Sequence, residues 1–278
     1  MARHLRHEYP GAVYHVTSRG NARGRLFLTE ADEQAFLRTV ARVVADCGWL
    51  CHGYCLMGNH YHLVLETPRP NLALGMRRLN STYAQGFNQL HGRVGHVFQG
   101  RYKAILIEKE AHLLEVCRYV VLNPVRARLC ATASDWHASS YRATAGQATV
   151  PPFLTVSWIL SQFATRTRIA QDRYRAFVAD GLRQDPWQEL RGQIYLGSEH
   201  FASILSEPSE EIEEIPRTQW QPVQRPLDEL FRKHGANALA LAYREEGYRL
   251  SEIAEHLGVH YATVSRRLRK LETPDAQS

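Results

Sequence analysis

The sequence predicts an α+β fold: a ferredoxin-like βαββαβ antiparallel sheet with helices packed on it, followed by a small all-α helix-turn-helix domain. Three observations support this prediction. Strand-like and helix-like segments alternate through the first 130 residues. A tight Gly58-Asn59 turn joins two apolar, strand-like runs as a hairpin. Towards the other end of the chain, Ala254, Gly258 and Val264 have the spacing of a helix-turn-helix.

The elements of the first domain follow from periodicity and from turn and capping signals. The first helix has apolar residues at helical spacing, with Thr29 and Asp32 in capping-box positions and Gly48 as the stop. Pro124 is expected to stop the last helix, because the residue before a proline disfavours the helical conformation. In chain order, the sequence predicts strand 12–19, helix 30–47, strands 49–57 and 60–66, helix 72–90, strand 96–108 and helix 111–123.

The remainder of the chain is expected to hold a helical extension, a linker and a second domain. Helices are predicted around 156–163 and 168–181. An acidic stretch punctuated by Pro222 and Pro226 has the composition of a linker. The predicted boundaries are 1–130 for the first domain, 131–206 for the extension, 207–226 for the linker and 227–272 for the helix-turn-helix module.

Positive charge is concentrated in the first domain. The whole chain has a formal net charge of +6. Residues 1–130 hold 17 Lys and Arg against 9 Asp and Glu, whereas the rest holds 17 against 19. A basic excess in one half indicates an anionic partner for that half, nucleic acid first; a merely soluble basic surface is the alternative.

Composition also bears on the compartment. The five cysteines include no Cys-x-x-Cys pair, and no apolar run approaches the roughly 18 residues of a membrane span. The first residues lack the apolar stretch of a secretory signal. The sequence therefore predicts a cytoplasmic protein that neither uses a disulfide framework nor enters a membrane.

Two histidines stand out in the segment LMGNHYHLVLE. Side chains alternate between the two faces of a strand, so His60 and His62 should project from one face and Tyr61 from the other. Two imidazoles on one face form half of a metal site, but they are also compatible with ordinary exposed sheet residues.

A catalytic metal usually needs a third protein ligand and an open coordination position. The segment CRYVVLNPVRAR supplies a candidate, because Tyr119 and Asn123 are four residues apart and share one helical face. The amide oxygen of Asn123 is a suitable hard ligand, and the hydroxyl of Tyr119 is a potential nucleophile. A packed aromatic and an ordinary helix-ending asparagine are the alternatives.

These residues belong to a wider pattern. The motifs are YHVTSRGN at 14–21, HYH at 60–62, FQGRYK at 98–103 and YVVLNPVRA at 119–127. Together they resemble the single-tyrosine HUH transposases, and among these the REP-associated tyrosine transposases, over roughly residues 8–145. Gly58 stands where many relatives carry proline, and Tyr61 replaces an aliphatic residue. Neither departure removes a ligand.

The resemblance implies that His60, His62 and Asn123 bind a divalent metal, Mg²⁺ or Mn²⁺, and that Tyr119 is the nucleophile. It implies a metal-dependent, single-stranded DNA endonuclease and strand-transferase that acts through a 5′-phosphotyrosine, on hairpin-forming repeat DNA. A metal-dependent hydrolase with a water nucleophile and a non-catalytic DNA-binding regulator are the alternatives. The protein is expected to act as a monomer or a homodimer.

Basic and polar residues in both domains are expected to contact DNA. In the second domain they would lie on a recognition helix over 260–271, although a plain helical hairpin is also compatible with the pattern. Each single charge could instead be merely solvated. The predicted DNA-contacting residues are Arg19, Asn21, Arg101, Lys103, Arg126, Arg128, Thr263, Arg266, Arg267 and Arg269.

Overall fold

A computed structural model describes most of the chain. The described residues are 7–192, 194–198, 201, 226–235, 238–244, 248, 250–259, 263–264 and 267. The chain divides into two compact units, here called the N-terminal unit, Glu8–Gln188, and the C-terminal unit, which contains residues 189–278 together with 1–7.

The N-terminal unit holds four strands, six helices and short 3₁₀ turns among its described residues. Its first elements follow the predicted βαββαβ order, and the α+β class is confirmed. The strands are β1 Ala12–Arg19, β2 Leu50–Leu56, β3 His60–Thr67 and β4 Lys103–Ile107. The helices are α1 Glu30–Cys47, α2 Leu72–Leu90, α3 Lys109–Arg126, α4 Tyr141–Thr144, α5 Ser157–Ser161 and α6 Thr167–Ala179.

The four strands pair in the order β2-β3-β1-β4, and each pairing is antiparallel. Residues directly opposite each other in such a pair project from the same face. Thr17 lies opposite His62 on one side and Lys103 on the other, and Arg19 lies opposite His60. One face of the sheet therefore carries both histidines beside two basic residues.

The opposite face packs against α1 and α2 and forms much of the core. Tyr61 is fully buried there, with its ring 4.6 Å from that of Phe36 and its hydroxyl 2.6 Å from the Asn80 side-chain oxygen. This confirms that Tyr61 projects away from the histidine face. The predicted capping box of α1 is present at Thr29, and Gly48 ends that helix in the left-handed conformation, with φ of 67°.

The predicted strand over 96–108 is wrong in its first half, because only Lys103–Ile107 is a strand. Residues 96–102 form a loop, which Gly95 and Gly100 shape with positive φ values of 89° and 75°. The loop still satisfies backbone groups beside β1, since the Gln99 amide donates to the Arg19 carbonyl at 2.8 Å. It does so through single bonds rather than a strand ladder.

The prediction that Pro124 stops the last helix is also wrong, since α3 continues to Arg126 with Pro124 inside it. A proline has no N–H to donate to the carbonyl four residues earlier, here that of Val120. The Asn123 side-chain nitrogen donates to that carbonyl instead, at 3.3 Å, and to the Tyr119 carbonyl at 3.2 Å. This side chain partly replaces the missing backbone bond.

The C-terminal unit is described in part. Its elements are strands β5 Leu190–Arg191 and β6 Tyr195–Leu196, and helices α7 Leu227–His234, α8 Ala238–Arg244 and α9 Leu250–His256. Ala254 and Val264 are buried in a small apolar core, and Gly258 follows α9 with a φ of 63°. Of the predicted recognition helix, the described residues are 263–264 and 267; Arg266, Arg269 and nearly all of the predicted linker lie outside them.

No helix within the described ranges is long and apolar enough to cross a membrane.

Candidate active site

The two histidines of β3 lie side by side. Their ring centroids are 5.1 Å apart and their planes are nearly perpendicular, at 72°. His62 is buried, and the half-buried His60 ring contacts the Asn59 side-chain oxygen through Nδ1 at 2.7 Å. The common face predicted from strand alternation is the observed arrangement.

A third imidazole, His15 of β1, supports this pair and was missed by the sequence reasoning. Its Nε2 lies 2.9 Å from Nδ1 of His62, and the two rings are stacked with centroids 5.1 Å apart. When His62 donates through Nδ1, its Nε2 keeps a lone pair that is available to a metal. Metal-binding histidines usually donate their other ring N–H to a fixed partner in this way.

The imidazoles are held neutral. Burial, followed by the nearby Arg19 charge, lowers the pKa of His60 to about 4. Burial lowers the pKa of His15 to about 3. Burial, with further contributions from His15, His60 and Arg19, holds the pKa of His62 well below its ordinary value. At neutral pH all three rings therefore offer lone pairs rather than positive charge.

The donor atoms fit a divalent ion. His62 Nε2 is buried and has no hydrogen-bond partner among the described residues, so a lone pair is left over on the face that His60 shares. Within the described part of the chain, no group of three or more His, Cys, Asp or Glu could hold a metal. Amide carbonyl oxygens are a further class of ligand that Mg²⁺ and Mn²⁺ accept.

Helix α3 supplies both other predicted site residues. The Tyr119 ring lies edge-on to His15, with centroids 6.4 Å apart. Asn123 is one turn further along, and its NH₂ group bonds two helix carbonyls, which leaves the amide oxygen as the atom able to bind a cation. No hydrogen bond or ring contact between described residues joins Asn123 to His60 or His62.

The side chains of Trp187 and Arg126 both contact the Tyr119 ring. Trp187 was not among the residues predicted from the sequence. Trp187 stacks on His15 at 4.9 Å and meets the Tyr119 ring edge-on at 5.1 Å. The guanidinium of Arg126 lies 4.8 Å from the Tyr119 ring centroid and donates to the carbonyls of Gly181 and Gln184. Arg126, predicted to contact DNA, is thus directed towards the protein in this structure.

The other predicted DNA-contacting residues of the N-terminal unit are exposed. Arg19 and Lys103 stand on the histidine face, and Arg128 follows α3 with a φ of 58°. In the C-terminal unit, Thr263 is half-buried and Arg267 is exposed. The exposed set in the N-terminal unit is Arg19, Asn21, Arg101, Lys103 and Arg128.

Comparison with protein families gives this arrangement a class. Residues 9–123, which contain the histidine pair, Tyr119 and Asn123, match the family of IS200-like transposases. The N-terminal unit is therefore similar to this transposase family, and the match confirms the resemblance to single-tyrosine HUH transposases.

The solved structures include a REP-associated tyrosine transposase bound to a REP hairpin. It is 18% identical to this chain, with a TM-score of 0.47, and the match covers 56% of this chain and 92% of that one. The comparison with curated proteins finds no match.

Proposed function

We propose that the N-terminal unit is a metal-dependent, single-stranded DNA endonuclease and strand-transferase with Tyr119 as its nucleophile. The observation that carries the proposal is the position of Tyr119. Its ring lies edge-on to the ring of His15, and the ring of His15 is stacked on that of His62. A tyrosine and a metal-type histidine pair on one face supply a nucleophile and a phosphate-orienting group together.

In this proposal, His60 and His62 hold a divalent ion through ring nitrogens, and the Asn123 amide oxygen is the third protein ligand. Such an ion, when bound, neutralises the charge of a phosphodiester and polarises its phosphoryl oxygen. Mn²⁺ matches imidazole nitrogen better than Mg²⁺ does, so it is the stronger binder of the two. Arg19 and Lys103 border the same face and attract the flanking phosphates.

The chemistry consists of two successive exchanges of bonds at phosphorus. The Tyr119 hydroxyl releases its proton to solvent, and its oxygen forms a bond to phosphorus. The bond from phosphorus to the 3′-oxygen breaks, and that oxygen takes up a proton from water. The products are a 5′-phosphotyrosine and a free 3′-OH. A second 3′-OH can attack the phosphotyrosine, which releases Tyr119 and joins the strands.

Trp187 and Arg126 contribute by limiting the motion of the nucleophile. Their contacts with the Tyr119 ring hold it against the sheet face, and proximity and orientation are a large part of rate enhancement. The substrate proposed is hairpin-forming repeat DNA, whose unpaired bases leave a phosphodiester accessible. The helix-turn-helix pattern of the C-terminal unit would add a contact to duplex DNA, mediated by Thr263, Arg266, Arg267 and Arg269.

The proposal is tested with Tyr119→Phe and a labelled DNA hairpin in Mn²⁺, resolved on a denaturing gel. The parent protein should form a covalent protein–DNA adduct, and the variant should bind the hairpin but form none. Tyr61→Phe is the matched control, because Tyr61 lies on the opposite face of the sheet. This variant should still form the adduct. An adduct that persists in Tyr119→Phe would overturn the assignment. Cleavage by the parent without any adduct would favour a hydrolase, and binding without cleavage would favour a regulator.

A further inference from the structure

The segment 177–187 leads from the end of α6 to the candidate active site. Its last residue, Trp187, is the one whose ring contacts both His15 and Tyr119. The family match ends at residue 123, so the whole segment lies outside it. The bonds that join this segment to α3, the helix that carries Tyr119, indicate what it does.

Arg118 makes the first connection between α3 and the segment. It directly precedes Tyr119 and is only 4% exposed. Its guanidinium lies 4.0 Å from the Phe177 ring centroid and donates to the Phe177 carbonyl at 3.3 Å. It also donates to the Gln184 side-chain oxygen and to the Glu115 carboxylate, which balances its charge. Arg118 therefore holds the segment at two points, Phe177 and Gln184.

Gly181 allows the segment to approach α3 closely enough for these bonds. It is buried, and a β-carbon at this position would lie 2.2 Å from the Cδ atom of Arg118. Any side chain here would therefore displace Arg118 or the segment itself. Arg126, further along α3, donates to the Gly181 carbonyl at 3.1 Å and to the Gln184 carbonyl. The segment is thus bonded to α3 on both sides of Tyr119.

The end of the segment places the Trp187 ring between the helix and the sheet. The Trp187 amide donates to the Asp185 carboxylate at 3.1 Å, which fixes the local turn. Its ring is stacked on His15, with an interplanar angle of 26°, and meets the Tyr119 ring edge-on. One side chain therefore contacts both the nucleophile and a residue of the histidine face.

We propose that the segment 177–187, here called the brace, sets the position of Tyr119 relative to the histidine pair, with Arg118 and Gly181 as positioning residues. The proposal rests on the proposed function and adds to it residues outside the family match. Arg118 and Gly181 act through the brace rather than on the phosphodiester: they hold its course along α3, and Trp187 limits the motion of the Tyr119 ring. A misplacement of about 1 Å can cost about 100-fold in rate, so a small shift of the brace is sufficient.

The test compares full-length variants on a labelled DNA hairpin in Mn²⁺. The single-turnover rate of covalent adduct formation and the Kd for the hairpin are both measured. Gly181→Ala should lower the adduct rate by about 10- to 100-fold with the Kd unchanged, because the added methyl displaces Arg118 and the brace with it. Trp187→Phe should retain more of the rate than Trp187→Ala, since it keeps an aromatic ring between His15 and Tyr119.

A double-mutant cycle tests whether Arg118 and Gly181 act together. In an Arg118→Ala background, the methyl group of Gly181→Ala no longer meets a guanidinium. The double variant should therefore be no slower than Arg118→Ala alone. Losses that multiply would show two unrelated effects and would overturn the brace.

Arg175→Ala is the matched control. Arg175 lies on α6 and donates to the Ala145 carbonyl at 2.7 Å and to the Asp172 carboxylate, so its loss loosens contacts outside α3. This variant should keep the adduct rate of the parent even where its unfolding temperature falls. Adduct rates equal to that of the parent in Gly181→Ala and Trp187→Ala would overturn the proposal. Faster rates would also overturn it, because they would show that Trp187 obstructs the substrate.

Nitration of tyrosines by tetranitromethane, mapped by peptide mass, gives a readout that needs no catalysis. The half-buried Tyr119 ring should be nitrated faster in Gly181→Ala and Trp187→Ala than in the parent, whereas the fully buried Tyr61 should stay protected in all variants. Equal nitration of Tyr119 in parent and variants would overturn the brace. Absence of an adduct in the parent would instead refute the proposed function, and the nitration rates would still decide whether the brace holds Tyr119.

Discussion

The substitution His15→Phe tests whether the third imidazole prepares His62 for a metal. Phenylalanine keeps a planar ring in a position that is 4% exposed, so the stacking on Trp187 should survive. What disappears is the ring nitrogen 2.9 Å from His62 Nδ1. Without that partner, nothing favours the tautomer whose Nε2 lone pair is free.

The magnitude follows from the burial of His62, which is 8% exposed. A buried donor that loses its partner costs about 1–3 kcal/mol of folding free energy. Loss of an outer partner of a metal-binding histidine typically lowers metal affinity by about 10- to 100-fold. That factor corresponds to about 1.4–2.8 kcal/mol of binding free energy. We expect both effects in the same variant.

The assay is a calorimetric titration of the full chain with Mn²⁺ at neutral pH, with thermal unfolding measured in parallel. His52→Phe is the matched control: His52 is equally buried and bonds Glu66 at 2.8 Å rather than a histidine. The control should lose stability but keep the Kd for Mn²⁺. An unchanged Kd in His15→Phe, at full folding, would refute the tautomer argument.

The remaining predictions concern the ligands, one acidic group and the two-unit organisation. His62→Ala should abolish Mn²⁺-dependent cleavage with the fold retained, and unaltered cleavage would remove His62 from the site. Asn123→Ala should be milder, because water can replace an amide oxygen; a calorimetric Kd equal to that of the parent would exclude it as a ligand. The hydrogen bond from His52, which outweighs burial, lowers the pKa of Glu66, so this carboxylate contributes stability above pH of about 4.3 that is lost as pH falls through its folded pKa. Glu66→Gln should therefore flatten the acid side of the stability–pH curve measured by chemical unfolding. Truncation near residue 209 should keep cleavage of a single-stranded hairpin and weaken binding to duplex-flanked DNA, and equal binding in a gel-shift assay would argue against a DNA-binding role for the C-terminal unit.

Elements with local signals could be predicted well from the sequence. The capping box at Thr29 and the left-handed Gly48 define α1 at both ends, and the predicted bounds are those observed. Elements whose backbone groups bond to distant residues or to side chains could not be predicted in this way. The loop 96–102 bonds to the end of β1, and α3 passes Pro124 with help from the Asn123 amide.

The candidate site likewise has residues that local sequence signals predict and residues that only long-range contacts bring to it. Strand alternation alone places His60 and His62 on one face and Tyr61 on the other. The contribution of His15 depends on how β1 pairs with β3, since its nitrogen reaches the diagonal neighbour across the strands. Trp187 reaches the site through the return of the chain after α6, and no periodicity in the sequence carries that information.

Side chains along β3 alternate between the two faces of the sheet, and this alternation determines what amino-acid substitutions in the strand should affect. Tyr61 and Leu63 are fully buried on the helix-packed side, so changes there alter the fraction of molecules that fold. Changes at His60 and His62 should alter what each folded molecule does, because these side chains lie on the other face. In a saturation mutagenesis experiment scored separately for abundance and for DNA cleavage, the two profiles should oscillate with a period of two residues and out of phase with each other.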